Sequence, residues 1–552
     1  MNSLIELVEQ VNRGDDIPGE TLRIFQDSTN AAERFLAHHA GATLGLRQCH
    51  RHLLEALRAI DFGDRKVLDQ FSGLCAFLGT PGEATGPTIA FANSSIERGE
   101  LCLGLEAASS AVAGDLSRGG PWSKRRDNAE TLAGLYQEAA IQIGWAGGGE
   151  LNNAVPKVAY VASSLGDDEP AARAAASFAA SINPRKLQLC VYSTEGYVSR
   201  ERRQWNQVIN NGDGALPTAR RGSAAIGRIS DAGASHWIAP TQGQSGGDIL
   251  SAAKALADKI AEDVIDIVFI DAEPSDPVAS LLACWPVAQK TIWIARRSGL
   301  MSSNLDGICY LDPAAAERDR AWWLKRGIEP ASTIEGVDLT QPHGEGPRRA
   351  QYGIPDSAVI AATSCDDIPR HVGQKMIEQV ITLLRKNPQV VFLMIGSGET
   401  ANFRRMFEAA GVGKRVGYAG QRRDLAAFLK MADFYLCPFA AEPPAARDTL
   451  VAMSVGLPTL SMIESGGDTG ATPPCEFVGP EGTASSGTAW QDLASKMSRE
   501  ANSRRQMGEA MHARVEAEFA FTQTASALCD VVSNELGVDA QAVQTGEMRK
   551  AA

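Results

Sequence analysis

From Lys157 to Arg296 the chain alternates short uninterrupted apolar runs with longer stretches of helical period, and this alternation limits the fold more than any other feature. "KVAYVASSL", "LQLCVYS", "SHWIAP", "VIDIVFID" and "KTIWIAR" have the length and residue types of strands. An alanine-rich stretch over about 169–182, then "GDILSAAKALADKIAED" and "PVASLLACWPV", have the period of helices. Strands apolar on both faces belong to a parallel sheet covered on both sides, since a half-exposed strand would alternate with polar residues. After "EGVDLTQPHGEGPRRAQYGIP" (335–355) the pattern starts afresh, with "AVIAATSC", "VVFLMIGSG", "RVGYAG", "FYLCPF" and "PTLSM" as strands separated by helical segments. The expected class is α/β, with two consecutive Rossmann-like domains and a cleft between them. Ligands of such sheets lie beyond the C-terminal strand ends.

Residues 1 to about 150 have a different character. "SLIELVEQV", "AAERFLAHHAGATLGLRQCHRHLLEALRAI", "KVLDQFSGLCAFLG" and "NAETLAGLYQEAAIQIGW" carry apolar residues at three-to-four spacing, broken by Gly/Pro/Asp segments. "GWAGGGELNNAVP" (144–156) reads as a linker. The expected organisation is an all-helical domain over 1–150, a first Rossmann-like domain over 151–340, a second over 341–535 and a loose tail over 536–552. The helical domain either docks a polypeptide acceptor or partner, or packs against the rest. The basic stretch "PWSKRRDN" (121–128) is expected to be a solvated turn.

Several function classes drop out. A formal net charge of −13 opposes non-specific binding to nucleic acid, which needs a basic face, although one anionic ligand needs only one or two cations. No run approaches the roughly 18 apolar residues of a membrane span, and "MNSLIELVEQVNRGDD" has no basic region before an apolar core, so a cytoplasmic chain is expected. The 10 cysteines are scattered, with no C-x-x-C, and "QCHRH" around Cys49, His50 and His52 has nothing to complete a ligand set. Reduced thiols and no metal site are expected.

The second Rossmann-like domain carries the more telling chemistry. "MIGSG" (394–398) runs from a strand into a small-residue turn, where Gly396 and Gly398 would let backbone N–H groups approach a phosphate. "CDDIPRHVGQK" leaves a neighbouring strand and brings Arg370, His371 and Lys375 to the same edge, where two cations could hold a diphosphate or simply be solvated. In the first Rossmann-like domain "FIDAEPSDPVASLL" places Asp271, Glu273 and Asp276 after a strand. Asp276 before Pro277 has the pattern of a helix N-cap, while Asp271 and Glu273 could take a proton from an acceptor hydroxyl or orient it. His236 stands at a strand start in "ASHWIAP", where a structural role competes with a catalytic one. Asp167 and Asp168 in "SSLGDDEP" are either near the cleft or helix caps.

The succession "RVGYAGQRRDLAAFLKMADFYLCPFAAEPP" followed by "VAMSVGLPTLSM" resembles the nucleotide-sugar-binding half of GT-B glycosyltransferases. "STIEGVDLTQP" (332–342) resembles the family's interdomain I-P-N-G-V-D segment, and "VEAEFAFTQTASALCDVV" its closing helix, which returns toward the first domain. The likeness extends over roughly 155–535. It implies a donor diphosphate held by Arg370, Lys375, Gly396 and Gly398, and a base met in the turn from Tyr418 to Gln421. It also implies sugar and phosphate contacts from Glu442, Arg447, Asp448 and Thr449, where a helix start offers unpaired N–H groups and a positive dipole end.

One position departs from the pattern. Retaining members commonly carry an acid for the ribose hydroxyls where this chain has Val451, and the O-GlcNAc-transferase-like group, similar in outline, commonly places an Asp there. Either Asp448, one turn earlier, takes over, or the donor is held differently. The expected function is metal-independent transfer of a sugar from a nucleotide-linked donor, UDP-linked by resemblance, to an acceptor in the cleft. No other cofactor is expected, and the donor domain has no D-x-D pair. An epimerase acting on free nucleotide sugar and a non-catalytic scaffold of the same shape are the alternatives.

Overall fold

A computed structural model describes residues 85–116, 122–145, 155–166, 169–194, 224–239, 249–296, 305–339, 346–397, 400–420, 422, 425–439, 446–463 and 473–537. The first three helical stretches of the sequence reading, the tail beyond residue 537, and Asp167, Asp168, Gly398, Gln421 and Glu442 lie outside these residues.

The first sheet contains β1 (Lys157–Ala162), β2 (Gln188–Ser193), β3 (Ser235–Ile238), β4 (Ile267–Asp271), β5 (Lys290–Ala295), β6 (Gly307–Tyr310) and β7 (Ala331–Ser332). They run in the order β3-β2-β1-β4-β5-β6-β7, with every neighbouring pair parallel. The strand order reverses direction at β1, so the crevice at the C-terminal ends of β1 and β4 is the natural ligand position. Every residue of β4 is buried, as continuous apolar composition requires of a strand covered on both faces.

Helices α1 (Thr85–Glu97), α2 (Leu101–Leu116) and α3 (Trp122–Ile143) cover one face of this sheet together with α6 (Ile249–Glu262), α7 (Pro277–Leu282) and α8 (Pro313–Leu324). Ala107, Ala108 and Tyr136 share one buried cluster with Val268, Ile270 and Trp293. Polar bonds fix the contact: the Trp145 indole donates to Asp258, and Trp322 and Arg326 both donate to Glu130. The described helical residues therefore pack on the first sheet and do not stand apart. "PWSKRRDN" opens α3 and is not a turn.

On the opposite face lie α4 (Pro170–Ser181) and α5 (Ala224–Asp231), joined by α17 (Phe521–Leu536) from the far end of the chain. Phe521, Ala525, Leu528 and Val532 sit in one cluster with Tyr160, Phe178 and Phe269, so the closing helix does return to the first sheet.

The second sheet contains β8 (Val359–Asp367), β9 (Val390–Ser397), β10 (Val416–Tyr418), β11 (Phe434–Leu436), β12 (Thr459–Met462) and β13 (Thr483–Ala484), in the order β10-β9-β8-β11-β12-β13, again parallel throughout. Around it stand α9 (Ile368–His371), α10 (Gln374–Lys386), α11 (Ala401–Ala409), α12 (Leu425–Leu429), α13 (Ala446–Ser454), α14 (Pro474–Val478), α15 (Gly487–Arg499) and α16 (Ala501–Glu518).

Aspartates staple the N-terminal edges of both sheets. Asp266 accepts the Lys157 N–H, Asp306 the Thr291 N–H and Asp433 the Ile360 N–H, each joining the approach to one strand to the start of its neighbour. The C-terminal edges are left for other work.

Two chain crossings join the sheets and touch each other. The Val337 N–H donates to the Phe519 carbonyl and the Phe521 N–H to the Val337 carbonyl, at 2.8 and 2.9 Å. A Cβ on Gly336 would stand 2.7 Å from the Ala520 carbonyl, so only glycine lets the two backbones pass.

Candidate functional site

The order of the second sheet decides which candidates can meet. Along its C-terminal edge come Tyr418 at the end of β10, Gly396 near the end of β9, the α9–α10 segment after β8, and α13 after β11. The strand order reverses between β8 and β11, so the segments bearing Arg370 and Lys375 and those bearing Arg447, Asp448 and Thr449 flank one crevice.

Arg370 lies in α9, and His371, the last residue of that helix, is 8% exposed. Lys375 occupies the first turn of α10 and is exposed. Arg447 and Asp448 are half-buried in the first turn of α13, while Thr449 is buried with its hydroxyl 3.7 Å from the Cys437 thiol. Asp448 lies close enough to the Tyr435 phenol to help raise its pKa, after burial, which is the larger cause. Ser364 holds that phenol through its N–H, hydroxyl and carbonyl.

Gly396 is needed for a reason the sequence reading did not supply. Its φ is +151°, and a Cβ there would lie 2.0 Å from the Cys365 carbonyl oxygen of the adjacent strand. Its N–H donates to the Gly420 carbonyl at 3.1 Å, which ties the end of β9 to the turn after β10. The glycine thus allows three strand ends to close together. Tyr418 stands half-buried beyond it, with the Arg404 guanidinium 4.1 Å above its ring.

Val451 is 8% exposed and packs in the cluster of Leu429, Tyr435 and Met453, so it faces the protein interior. Asp448, three residues earlier, is the carboxylate that the start of α13 offers.

In the first sheet, Asp271 ends β4 and is 1% exposed. Both its oxygens are engaged. The Arg296 guanidinium donates to them from Nε and Nη2 at 2.6 and 2.5 Å, and the Tyr160 hydroxyl donates to Oδ2. Arg296 Nη1 goes on to Glu335 in the crossing segment. Burial would raise the Glu335 carboxyl, yet Arg296 first, then Arg447 and Arg173, outweigh it and hold that pKa below its ordinary value. Arg447 belongs to the second sheet's C-terminal edge, whereas Arg296 and the crossing segment with Glu335 are bonded at the first sheet's edge.

Glu273 is exposed at this edge and accepts from the Ser275 hydroxyl at 3.3 Å. Asp276 is the N-cap of α7, taking the Val278 and Ala279 N–H groups at 3.0 and 3.1 Å ahead of Pro277. Its other oxygen accepts from the Thr194 hydroxyl at 2.5 Å. The helical region reaches the same loop, since the Ser109 hydroxyl donates to the Ser275 carbonyl at 2.6 Å. His236 lies exposed in the edge strand β3, against Ser230, away from Asp271 and Glu273. Among the described residues no group of three or more His, Cys, Asp or Glu side chains forms a metal site.

Tyr160, Arg173, Arg296 and Glu335 were not singled out from the sequence. Arg296 could have been: it directly follows β5, as Asp271 closes β4, and those two strands are neighbours.

Residues 364–480, which span the donor-side candidates from β8 to α14, match the family model of glycosyl transferases group 1. No curated protein matches the sequence. Among solved structures, a mutant O-GlcNAc transferase from Thermobaculum terrenum is similar over 96% of this chain and 99% of its own, at 14% identity and a TM-score of 0.51. Sucrose-phosphate synthase from Thermosynechococcus elongatus covers 69% of this chain and 99% of its own, at 14% identity and a TM-score of 0.47. Anabaena HepE, solved in complex with UDP and glucose, covers 69% of this chain and 100% of its own, at 12% identity and a TM-score of 0.46. The first of these likenesses bears on fold alone, and the fold is GT-B: two parallel Rossmann-like sheets behind a helical N-terminal region.

Proposed function

We propose that this chain, a GT-B glycosyltransferase, moves a sugar from a UDP-linked donor to an acceptor hydroxyl or amide in the cleft, without a bound metal ion. The observation that carries the reading is the crevice at the C-terminal edge of the second sheet, where the strand order reverses and the α13 start with Arg447, Asp448 and Thr449 flanks the segment that bears Arg370 and Lys375. A cation at a helix start is placed where a diphosphate leaving group would develop charge.

As the bond from the sugar to the diphosphate breaks, negative charge grows on the departing phosphate oxygen. Arg447 and the positive dipole end of the α13 start stabilise it there, which is the work a divalent cation does in other designs. Lys375, on the other side of the same crevice, adds a second point charge. Asp271 is committed to Arg296 and Tyr160, so Glu273 is the better group to orient the acceptor or receive its proton. A polypeptide acceptor docked by the helical region completes the reading. Its support is the contact of α2 with the loop that carries Glu273 and Asp276.

Thermal unfolding with UDP, GDP, ADP, CMP and dTDP tests this. A nucleotide at 100 times its dissociation constant adds roughly 2.7 kcal/mol and raises the midpoint visibly. UDP is expected to stabilise the protein, and Lys375→Ala to shrink the shift. No stabilisation by any diphosphate would sink the donor site.

A further inference from the structure

The loop that carries Glu273 is held from the helical region as well as from its own sheet. Residues 272–275 span the gap between Asp271, which ends β4, and Asp276, which caps α7. The carbonyls of Glu273, Pro274 and Ser275 all have donors. The Asp276 N–H donates to the first at 2.8 Å and the Ser280 hydroxyl to the second at 3.3 Å, both from the loop's own continuation into α7. The third, that of Ser275, takes the Ser109 hydroxyl of α2 at 2.6 Å, and Ser109 and Ser275 are both buried. The Ser275 hydroxyl donates to Oε2 of Glu273 at 3.3 Å. Ser275 therefore has its main chain fixed by the helical region and its side chain on the carboxylate, while Glu273 itself stays exposed at the strand ends.

The rest of this segment depends on the helical region too. α7 has six residues, too few to be stable by its own hydrogen bonds, so its place is set by what it packs against. Val278, Ala279 and Leu282 share a buried cluster with Ala107, Ala108 and Ala111 of α2. Just beyond α7 the Trp285 indole stacks on Trp145 at 5.9 Å and donates to the Ala140 carbonyl of α3 at 3.3 Å. From the sheet side, Thr194 holds Asp276. The loop is thus clamped between the end of β2 and the helical region, with Ser109 the tie that reaches closest to Glu273 along the chain.

We propose that Ser109 is a positioning residue for the transfer step: through the Ser275 carbonyl it fixes the loop on which Glu273 meets the acceptor. The helical region then contributes to the chemistry through the shape of that loop. This rests on the reading of Glu273 as the group that orients the acceptor or takes its proton. A misplacement of about 1 Å at a reacting group can cost about a hundredfold in rate, so the loss of one anchor is expected to cost about tenfold.

Release of UDP from UDP-glucose, UDP-galactose and UDP-N-acetylglucosamine by the full chain gives the readout, with water in the acceptor's place. The water oxygen bonds to the anomeric carbon, the bond from that carbon to the diphosphate breaks with its electron pair going to UDP, and the water proton passes to Glu273. Ser109→Ala should lower kcat about tenfold while the donor KM and calorimetric UDP affinity stay within about twofold, because the donor binds on the other sheet. Ser109→Thr, which keeps the hydroxyl, should restore most of the rate. Glu273→Gln is the control on the premise and should lower kcat about a hundredfold or more. Added to Glu273→Gln, Ser109→Ala should cost nothing further, since its effect passes through that carboxylate. A further loss of about tenfold in the double variant would show a general brace and overturn the proposal, as would UDP affinity that falls in step with kcat. If Glu273→Gln leaves kcat unchanged, the reading of Glu273 fails and the proposal with it. If Glu273→Gln lowers kcat and Ser109→Ala does not, the positioning role alone is wrong. Should Ser109→Ala fold poorly, Ser109→Cys, similar in size and a weaker donor, carries the same test. Wild-type protein that releases UDP from none of these donors would overturn both.

Discussion

Replacing Gly396 by alanine tests how the donor sheet closes at its C-terminal edge. The residue combines a φ of +151° with a Cβ position 2.0 Å from the Cys365 carbonyl oxygen and 3.1 Å from Ile368 Cγ1. Cys365 is its register partner across β8 and β9, so the obstructing atom is backbone and cannot rotate aside. A side chain forced into such a conformation costs about 1–3 kcal/mol, and overpacking costs about 1–3 kcal/mol more. Both costs apply, and a loss of about 3 kcal/mol is expected. For a domain of this size that lowers the melting midpoint by roughly 6–12 °C. Gly420→Ala is the comparison, since Gly420 also has positive φ (+67°) but nothing within 4 Å of a built Cβ. Its cost should be only the conformational part, about 1–2 kcal/mol. Urea unfolding and thermal circular dichroism of both variants give the answer. A Gly396→Ala protein that melts within about 2 °C of wild type, or less damage there than at Gly420, would refute the strand-closure account. The glycine would then be required only where a phosphate approaches.

Two further perturbations follow from the acceptor-side edge. Asp271→Asn leaves the half-buried Arg296 with one charged partner instead of two, and breaking an ion pair whose carboxylate is buried costs up to about 3–5 kcal/mol; a loss under about 1 kcal/mol in urea unfolding would mean that Glu335 alone satisfies the guanidinium. Burial pushes the Asp276 carboxyl up to about 6 from its ordinary 3.8, against hydrogen bonds from Thr194, Ala279, Ser163 and Val278. Because the folded value is the higher one, its contribution to stability is full below pH 4 and is lost as pH rises through 6. A gap of about two pH units at about 1.4 kcal/mol each makes that loss about 3 kcal/mol. The Asp276→Asn variant keeps the cap oxygen and cannot titrate, so the stability of wild type relative to the variant should fall by that amount between pH 4 and 7. A flat difference over this window would show that Asp276 stays ionised.

The long apolar strands were legible because composition alone marks a strand covered on both faces: β1, β4, β5 and β9 fall within the segments expected of them, and β8 runs two residues past its own. The resemblance to GT-B glycosyltransferases stands on other segments, those of β10, β11 and β12 and the two chain crossings. β6, β7 and β13 were missed. They have four, two and two residues, too short to carry a period, and they exist because a neighbouring strand offers its free edge. Helical period was equally clear in α3, but which surface a helix covers depends on partners far along the chain. Ala107 and Ala108 meet Val268 and Ile270 only once the sheet has formed. The donor-side residues could be grouped from sequence since each follows a strand of one sheet. The Asp271–Arg296–Glu335 chain could not, because its links span 25 and 39 residues and need the strand order β4-β5-β6-β7 to close.

Two departures from the family pattern gain a common explanation when charge is followed instead of residue identity. The helix that bears Arg447 has the buried Val451 where related chains commonly carry an acid. The crossing segment has Glu335 where the I-P-N-G-V-D pattern has a neutral asparagine. One carboxylate is absent from the donor helix and one is present on the hinge, where Arg296 holds it. A carboxylate on the helix would move with the second sheet, whereas one bonded to Arg296 is fixed to the first. Relocating the charge therefore makes its distance from the donor helix depend on how the two sheets stand to each other. On this account diphosphate affinity and closure of the cleft are linked: a change that loosens Arg296 should weaken UDP even though Arg296 lies on the acceptor side.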